Sequence, residues 1–378
     1  IPLNAALLDS KGGHVTPKGY DSGDLQITLD DSQDEIELAL ETGSDRPILS
    51  IARDFSAPIR LERELDVSDL LRLARAETDR FNKWDAFQTL LKQHLLGIAY
   101  RGDPINDTLV DAIGQAALAE QDADPAYAAL LLRMPDVGEL FQEQEPADPV
   151  ALRQSCNALK AALSEALAHV IGDTLNAAAP TPYAPNAEQA GQRAFRACCM
   201  DLAARSPRTV HVLPGLFADA SCMTEQQAAL SAILTAQTGV EDALTAFYHQ
   251  WQTNPIVIDK WFAVQARSVD AKSITELSEH PDFDLGNPNR VRAVAGVFAM
   301  QNLAAFHAPD GAGHAFLANI VRKADGRNPA LAARLLTAFE QWRKLEPMAK
   351  QSAEEVLNSL AKDKLSPNAD DIIKRALG

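Results

Sequence analysis

The 378-residue chain predicts a mainly helical protein with a short strand-rich start. Three observations carry that reading. The hydrophobic period changes from two to about 3.6 near Asp66. Pairs of Asp or Asn followed by Pro recur through the rest of the chain. Apolar stripes with spacings of three and four accompany those pairs, the mark of helices burying one face.

Residues 1–65 read as part of a β-sandwich. Ile27 and Leu29, then Ile36, Leu38 and Leu40, alternate with polar residues, as half-buried strands do. Pro47–Ala52 reads as a further strand. Lys11-Gly12-Gly13 and Thr42-Gly43-Ser44-Asp45 read as turns. The first 66 residues carry 14 acidic and 6 basic side chains. Four or five short strands make an incomplete sandwich with exposed edges, so this end is expected to be the most labile.

Residues 66–378 read as helical. Asp66 or Ser68 caps the first helix. Leu70, Leu73, Ala74, Phe81, Trp84, Phe87, Leu91 and Leu95 mark its core side. Leu152, Cys156, Leu159, Leu163, Leu167 and Val170 make one stripe, expected on a single long helix. Asx-Pro pairs stand at Asp103, Asp124, Asp148, Asn254, Asn287 and Asn328, each expected to cap and launch a helix. After Asn287-Pro288, the residues Val291, Val294, Ala295 and Phe298 define an apolar face. Asn176–Asn186 reads as a loop, and the segment 362–371 sets off a last short helix, Asp371–Leu377. Successive short helices of this kind suggest stacked pairs in a HEAT- or armadillo-like superhelix.

Composition limits the function classes. Hydrophobic residues make up 46% and charged residues 23%, as in a globular protein, and the net charge is −17. So acidic a chain is a poor match for a nucleic-acid backbone or an anionic membrane surface. No apolar run approaches the roughly 18–20 residues that span a bilayer. No signal peptide is visible, and a cytoplasmic location is expected. Cys156, Cys198, Cys199 and Cys222 lack a metal or redox spacing and read as reduced, buried thiols.

Eight histidines are present, and none is followed by Glu. Glu165 and His169 are four apart, but two ligands do not make a zinc site. Gly311 and Gly313, between His307 and His314, suit turn geometry better than phosphate binding, because no Gly-Lys-Ser/Thr follows. No nucleophile motif appears, and no catalytic residue, metal ligand or cofactor site is assigned to the chain. Arg292 and Arg334 flank the apolar faces of two helices. Such arginines ordinarily lie over the edge of a core with the guanidinium in water.

Several stretches closely resemble the C-terminal region of bacterial alanyl aminopeptidases, the aminopeptidase N group of the M1 zinc metallopeptidase family. They are Phe55–Leu61 (FSAPIRL), Phe81–Ala86 (FNKWDA), Val257–Phe262 (VIDKWF), Gly286–Phe316 and Arg327-Asn328-Pro329. Each is short, but together they run in order along the chain. The resemblance implies that the strands belong to an immunoglobulin-like domain missing its first strands. It also implies that HExxH, its third zinc ligand and the Gly-rich substrate segment lie upstream, so that zinc belongs to the parent enzyme. It implies further that the helical domain encloses the active-site cavity, and that Arg292 and Arg334 line it and bind peptide substrate. The expected partners are then a peptide and the missing N-terminal catalytic domains, with no nucleic acid and no membrane. The start at Ile1 agrees with a fragment. The alternative is a stand-alone helical-repeat scaffold for a protein or peptide partner.

Overall fold

The computed structural model describes residues 1–9, 11, 13–31, 35–40, 46–179 and 182–378. The turn expected at 42–45 and the middle of Lys11-Gly12-Gly13 lie outside the described residues. The chain forms two compact units, one of 1–94 with 104–135 and one of 95–103 with 136–378.

In the first unit, β1 (Pro2–Leu8) pairs antiparallel with β2 (His14–Val15), β3 (Asp24–Thr28) and β4 (Ile48–Ile51). The register sets Ala5 opposite Leu25 and Ile51, which fixes one apolar face. Ala5, Leu7 and Leu25 form its centre, with Val15, Ile27, Leu38, Leu40 and Ile51 packed on it. Leu38 and Leu40 thus have the expected side-chain placement, but 35–40 is not a strand. Lys18 N–H donates to Ala39 O (2.8 Å). The described residues form one sheet, and a second sandwich layer is not among them.

Helices follow: α1 (Val67–Ala76), α2 (Arg80–Arg101), α3 (Asp107–Glu120) and α4 (Pro125–Leu132). Asp66 caps α1 by accepting from Asp69 N–H. The expected single helix breaks at Glu77–Asp79, where the Glu77 carboxylate accepts from Thr78 and Asp79 N–H (2.6 and 2.8 Å). That break resets the helical phase. Phe87, Leu91 and Leu95 are buried, but Phe81 is exposed. Asn82 Nδ2 donates to Ser50 Oγ (2.9 Å) and Ile51 O (3.1 Å), tying the start of α2 to β4.

Between β4 and α1, Ala52, Asp54 and Phe55 all have positive φ (59°, 55° and 51°). The left-handed region costs a non-glycine residue about 1–2 kcal/mol, so the segment needs external ties. Arg53 supplies them from a buried position. Its guanidinium donates to Asp24 Oδ1 (2.8 Å), Glu77 Oε1 (3.2 Å) and Thr78 Oγ1 (2.7 Å). Asp54 N–H adds a bond to Asp79 Oδ2 (2.9 Å).

The second unit runs through α5 (Val137–Gln142), α6 (Pro149–Ala166), α7 (Ala168–Asn176), α8 (Ala187–Ala203), α9 (Leu213–Ala218), α10 (Met223–Ala236) and α11 (Val240–Trp251). It continues with α12 (Pro255–Ala266), α13 (Ala271–Leu277), α14 (Pro288–Val291), α15 (Val297–Gln301), α16 (Leu303–Phe306), α17 (Ala312–Asp325), α18 (Pro329–Leu336), α19 (Pro347–Leu360) and α20 (Pro367–Leu377). Neighbours in sequence pack together, as α7 on α8 and α17 on α18 do. Five of the six Asx-Pro pairs launch helices as expected; at Asp124 and Asn328, for example, the side chain accepts from the N–H three residues on. Asp103-Pro104 does not, because Asn106 takes the capping role for α3. The stripe from Leu152 to Val170 is divided at Leu167 into α6 and α7. The last helix starts at Pro367, ahead of the expected Asp371, because Ser366 caps it.

Two devices hold this unit together beyond apolar packing. Arg196, on α8, is buried against Glu225 of α10 (2.9 Å) and donates to Thr174 O and Ala177 O at the end of α7 (2.7 and 3.0 Å). Ala147 and Leu345, both buried, form a parallel bridge in which Ala147 N–H donates to Lys344 O (2.7 Å) and Glu346 N–H to Ala147 O (2.9 Å).

Candidate functional site

Asn287 caps α14 by accepting from Asn289 and Arg290 N–H (3.0 and 3.3 Å). The helix then widens into a π turn over Arg292–Gly296, where Val297 N–H bonds back to Arg292 O. A π turn inserts one extra residue and rotates the side chains beyond it. Here Ala293, Val294, Ala295 and Gly296 are all buried, while Arg292 points to solvent.

Arg292 lines an open groove of about 310 Å³ with Lys260, Arg267, Asp259 and Asn289. Lys260 and Arg267 are seven apart on and just past α12, so they share a face. The charge balance of the groove is uneven. Asp259 is already paired with buried Arg290 (2.6 Å), which also donates to Asp282 O and lies over the Phe262 ring at 4.7 Å. Arg292 and Arg267 bond instead to neutral amide oxygens, Asn289 Oδ1 (3.0 Å) and Gln301 Oε1 (2.7 Å). Lys260 makes no ion pair among the described residues. Three cations and the Arg290-paired Asp259 thus line one groove, and among the described residues none of the three cations makes an ion pair, on a chain of net charge −17.

Arg334 is exposed on α18 and lies outside the groove's lining. Its helix touches the π turn, since a Cβ at Gly296 would stand 3.8 Å from Leu335 Cδ2. Lys260 and Arg267 were legible in the sequence only as a pair of cations at helical spacing. The π turn has no sequence signal.

The His307–His314 loop holds a different arrangement. Both rings are buried and bonded to each other, His307 Nδ1 to His314 Nε2 at 2.8 Å, and His314 Nδ1 meets Ser352 Oγ at 3.0 Å. Phe306 and Phe339 pack on His314, and Phe141 stacks on His307. Burial pushes the His314 ring down to about 4, slightly opposed by the Asp310 charge. Burial, then the neighbouring His314, holds His307 well below the ordinary histidine value. Gly311 has φ +70°, and a Cβ at Gly313 would stand 2.4 Å from Phe306 O. Both glycines serve turn geometry and close approach.

Glu165 and His169 do not converge on a metal. They lie on α6 and α7, and bond to Ser206 Oγ (2.6 Å) and Asp173 Oδ2 (2.9 Å). Among the described residues no group of three or more His, Cys, Asp or Glu could hold a metal ion. The described side chains therefore do not fit the zinc that the resemblance implies for the parent. None of the four cysteines is in a disulfide; Cys156 and Cys199 are buried, Cys198 and Cys222 half-buried, and burial raises Cys156 and pushes Cys199 up to about 12. No helix among the described residues is long and apolar enough to cross a membrane.

The arrangement defines a helical-repeat domain with a cationic groove. Residues 67–378 match the family described as a domain of unknown function (DUF3458_C) with ARM repeats, and the chain belongs to that family. It is also similar to the C-terminal part of bacterial aminopeptidase N. Identity to the Caulobacter vibrioides aminopeptidase N is 36%, over 94% of this chain and 42% of that protein. For the Escherichia coli aminopeptidase N it is 32%, over 100% and 44%. A crystal structure of Legionella pneumophila aminopeptidase A in complex with aspartic acid superposes with a TM-score of 0.83 at 27% identity, covering 100% of this chain and 45% of that one. The chain spans less than half the length of these relatives.

Proposed function

We propose that this chain is the C-terminal, non-catalytic region of a cytoplasmic M1 zinc aminopeptidase that removes N-terminal residues from peptides. Residues 1–65 are then the remainder of an immunoglobulin-like domain. Residues 66–378 form a superhelix that encloses the active-site cavity and gates access to it. Zinc and its ligands belong to the preceding catalytic domain, and no chemical step falls to this chain. Its part is to hold the substrate peptide. Arg292 and Arg334 face the cavity and pair with a peptide carboxylate, a geometry that the planar guanidinium favours.

The observation that carries this reading is the similarity to the C-terminal part of aminopeptidase N along the whole chain. The cations around Arg292, which make no ion pair among the described residues, support the carboxylate role. A charge-assisted contact contributes about 1.5–3 kcal/mol, or a roughly 10- to 100-fold effect on binding. The test is steady-state kinetics of the full-length enzyme. Arg292→Ala and Arg334→Ala should each raise KM for short peptides by about tenfold or more and leave uncharged alanyl arylamides nearly unchanged. Equal effects on both substrate types would make the arginines structural. Absence of aminopeptidase activity in the full-length protein would overturn the reading and favour a scaffold.

A further inference from the structure

Phe55 sits on the left-handed segment between β4 and α1 and is 69% exposed. Its ring packs on Phe81 of α2 (4.4 Å between centroids), and Phe81 packs in turn on Trp84 (5.8 Å). Phe81 is itself exposed and Trp84 half-buried. Three aromatic rings thus lie in a row at the surface of the first unit.

The way Phe55 is held sets this row apart from incidental surface apolar residues. Ala52, Asp54 and Phe55 each occupy a backbone region that suits glycine, although none is glycine. The buried Arg53 fork and the Asp54–Asp79 bond fix the segment in that shape. Local strain and several polar ties are spent on turning an aromatic ring outward into water. In the chain alone Phe55 gains the Phe81 contact but leaves most of its ring in water, whereas rigid, preorganised aromatic anchors are the usual centre of a binding surface.

We propose that the Phe55–Phe81–Trp84 row is the docking surface for the polypeptide that precedes this chain in the longer enzyme, an inference that rests on the aminopeptidase reading. Two observations select that occupant. The relatives match through their C-terminal parts, so more than half of their length lies ahead of the matched region. The row also stands beside the start of the first strand. Asn4 N–H donates to Ser56 Oγ (2.9 Å), so the residue after Phe55 is tied to β1 only three residues from Ile1. That is a reach of about 10 Å in extended chain. Polypeptide entering at Ile1 therefore arrives next to the row and covers it without a long linker.

The test expresses this chain and the segment encoded ahead of it as two polypeptides and measures their association by calorimetry. The unsubstituted chain should form a one-to-one complex. Phe55→Ser with Phe81→Ser should weaken it by about 100-fold. Ile256→Ser, at an equally exposed apolar position on α12, should leave it within about twofold. Unchanged affinity in the double variant would overturn the proposal. So would self-association of the isolated chain that the double variant abolishes while still binding the segment. A second measurement covers a variant that fails to fold. Alkylation of Phe55→Cys by iodoacetamide should slow at least tenfold in the complex, and an unchanged rate would overturn the proposal. Alanyl-arylamide turnover by the same complex separates the two readings. A tight, row-dependent complex without activity would reject the aminopeptidase and keep the docking surface. An active complex indifferent to the double variant would reject the docking surface alone.

Discussion

Acidification should destabilise the second unit through its buried histidine pair, by an amount that His314 sets. The sign follows from proton binding. The folded His314 ring is pushed down to about 4, while an unfolded histidine titrates near 6.5. Below pH 6.5 the unfolded chain takes up a proton that the folded chain refuses, so stability falls with pH until the folded ring protonates near 4. At pH 5 the loss from this ring alone is about 2 kcal/mol, and it approaches about 3.4 kcal/mol below pH 4. His307 acts in the same direction. The perturbation is His314→Gln, which keeps hydrogen-bonding groups between His307 and Ser352 but cannot titrate. Urea unfolding followed by circular dichroism at pH 7.5 and pH 5 gives the difference. The unsubstituted chain should lose about 2 kcal/mol more than the variant over that interval. Equal losses would refute the argument, as would a His314 ring signal titrating near 6.5 in NMR spectra of the folded protein.

Two further sets of substitutions probe the packing. Arg196→Met strands the Glu225 carboxylate, whose side chain is 5% exposed, and should cost about 3–5 kcal/mol in urea unfolding. Adding Glu225→Leu should recover part of that loss, though Thr174 O and Ala177 O still lack their donor. Gly313→Ala forces a Cβ against Phe306 O and should cost about 1–3 kcal/mol, whereas Gly326→Ala, with open space and a helical φ, should be neutral or stabilising by up to about 1 kcal/mol by the same assay.

Features written in a few adjacent residues were the most legible. An Asx side chain before Pro acts within one turn, so Asp124, Asp148, Asn254, Asn287 and Asn328 announce their helices wherever they lie. Ser366-Pro367 uses the same device with a different residue, so an Asx-Pro pattern does not find it. Apolar periodicity fixed which side of each helix is buried, but not where a helix ends. Glu77 and Leu167 interrupt runs that look continuous, with no Gly or Pro to mark the break. Phe81 stands in the first turn after the Glu77 break and is exposed, while Phe87, Leu91 and Leu95 further along the same helix are buried. The candidate groove was harder still. Arg292 stood out, but its companions Lys260 and Arg267 come from another helix, and the π turn that presents Arg292 depends on tertiary packing. The histidine pair shows the same limit. The loop glycines could be read from local sequence, while the Ser352 partner, 38 residues on, could not.

The bridge between Ala147 and Leu345 has a consequence for how the second unit folds. An open stack of helical repeats makes only neighbour contacts, so it can nucleate anywhere and lose terminal repeats one at a time. Here the backbone just ahead of α6 is completed by the strand-like residues just ahead of α19. Closing a loop of about 200 residues costs roughly 3 kcal/mol more than closing one of ten, and that cost falls due before the bridge forms. The helices between must already be in place when Ala147 meets Leu345. Closure is thus a late event on the folding path, and it couples the two ends of the array: on a ribosome, the α5–α6 region waits with an unpaired backbone until nearly the whole chain has emerged.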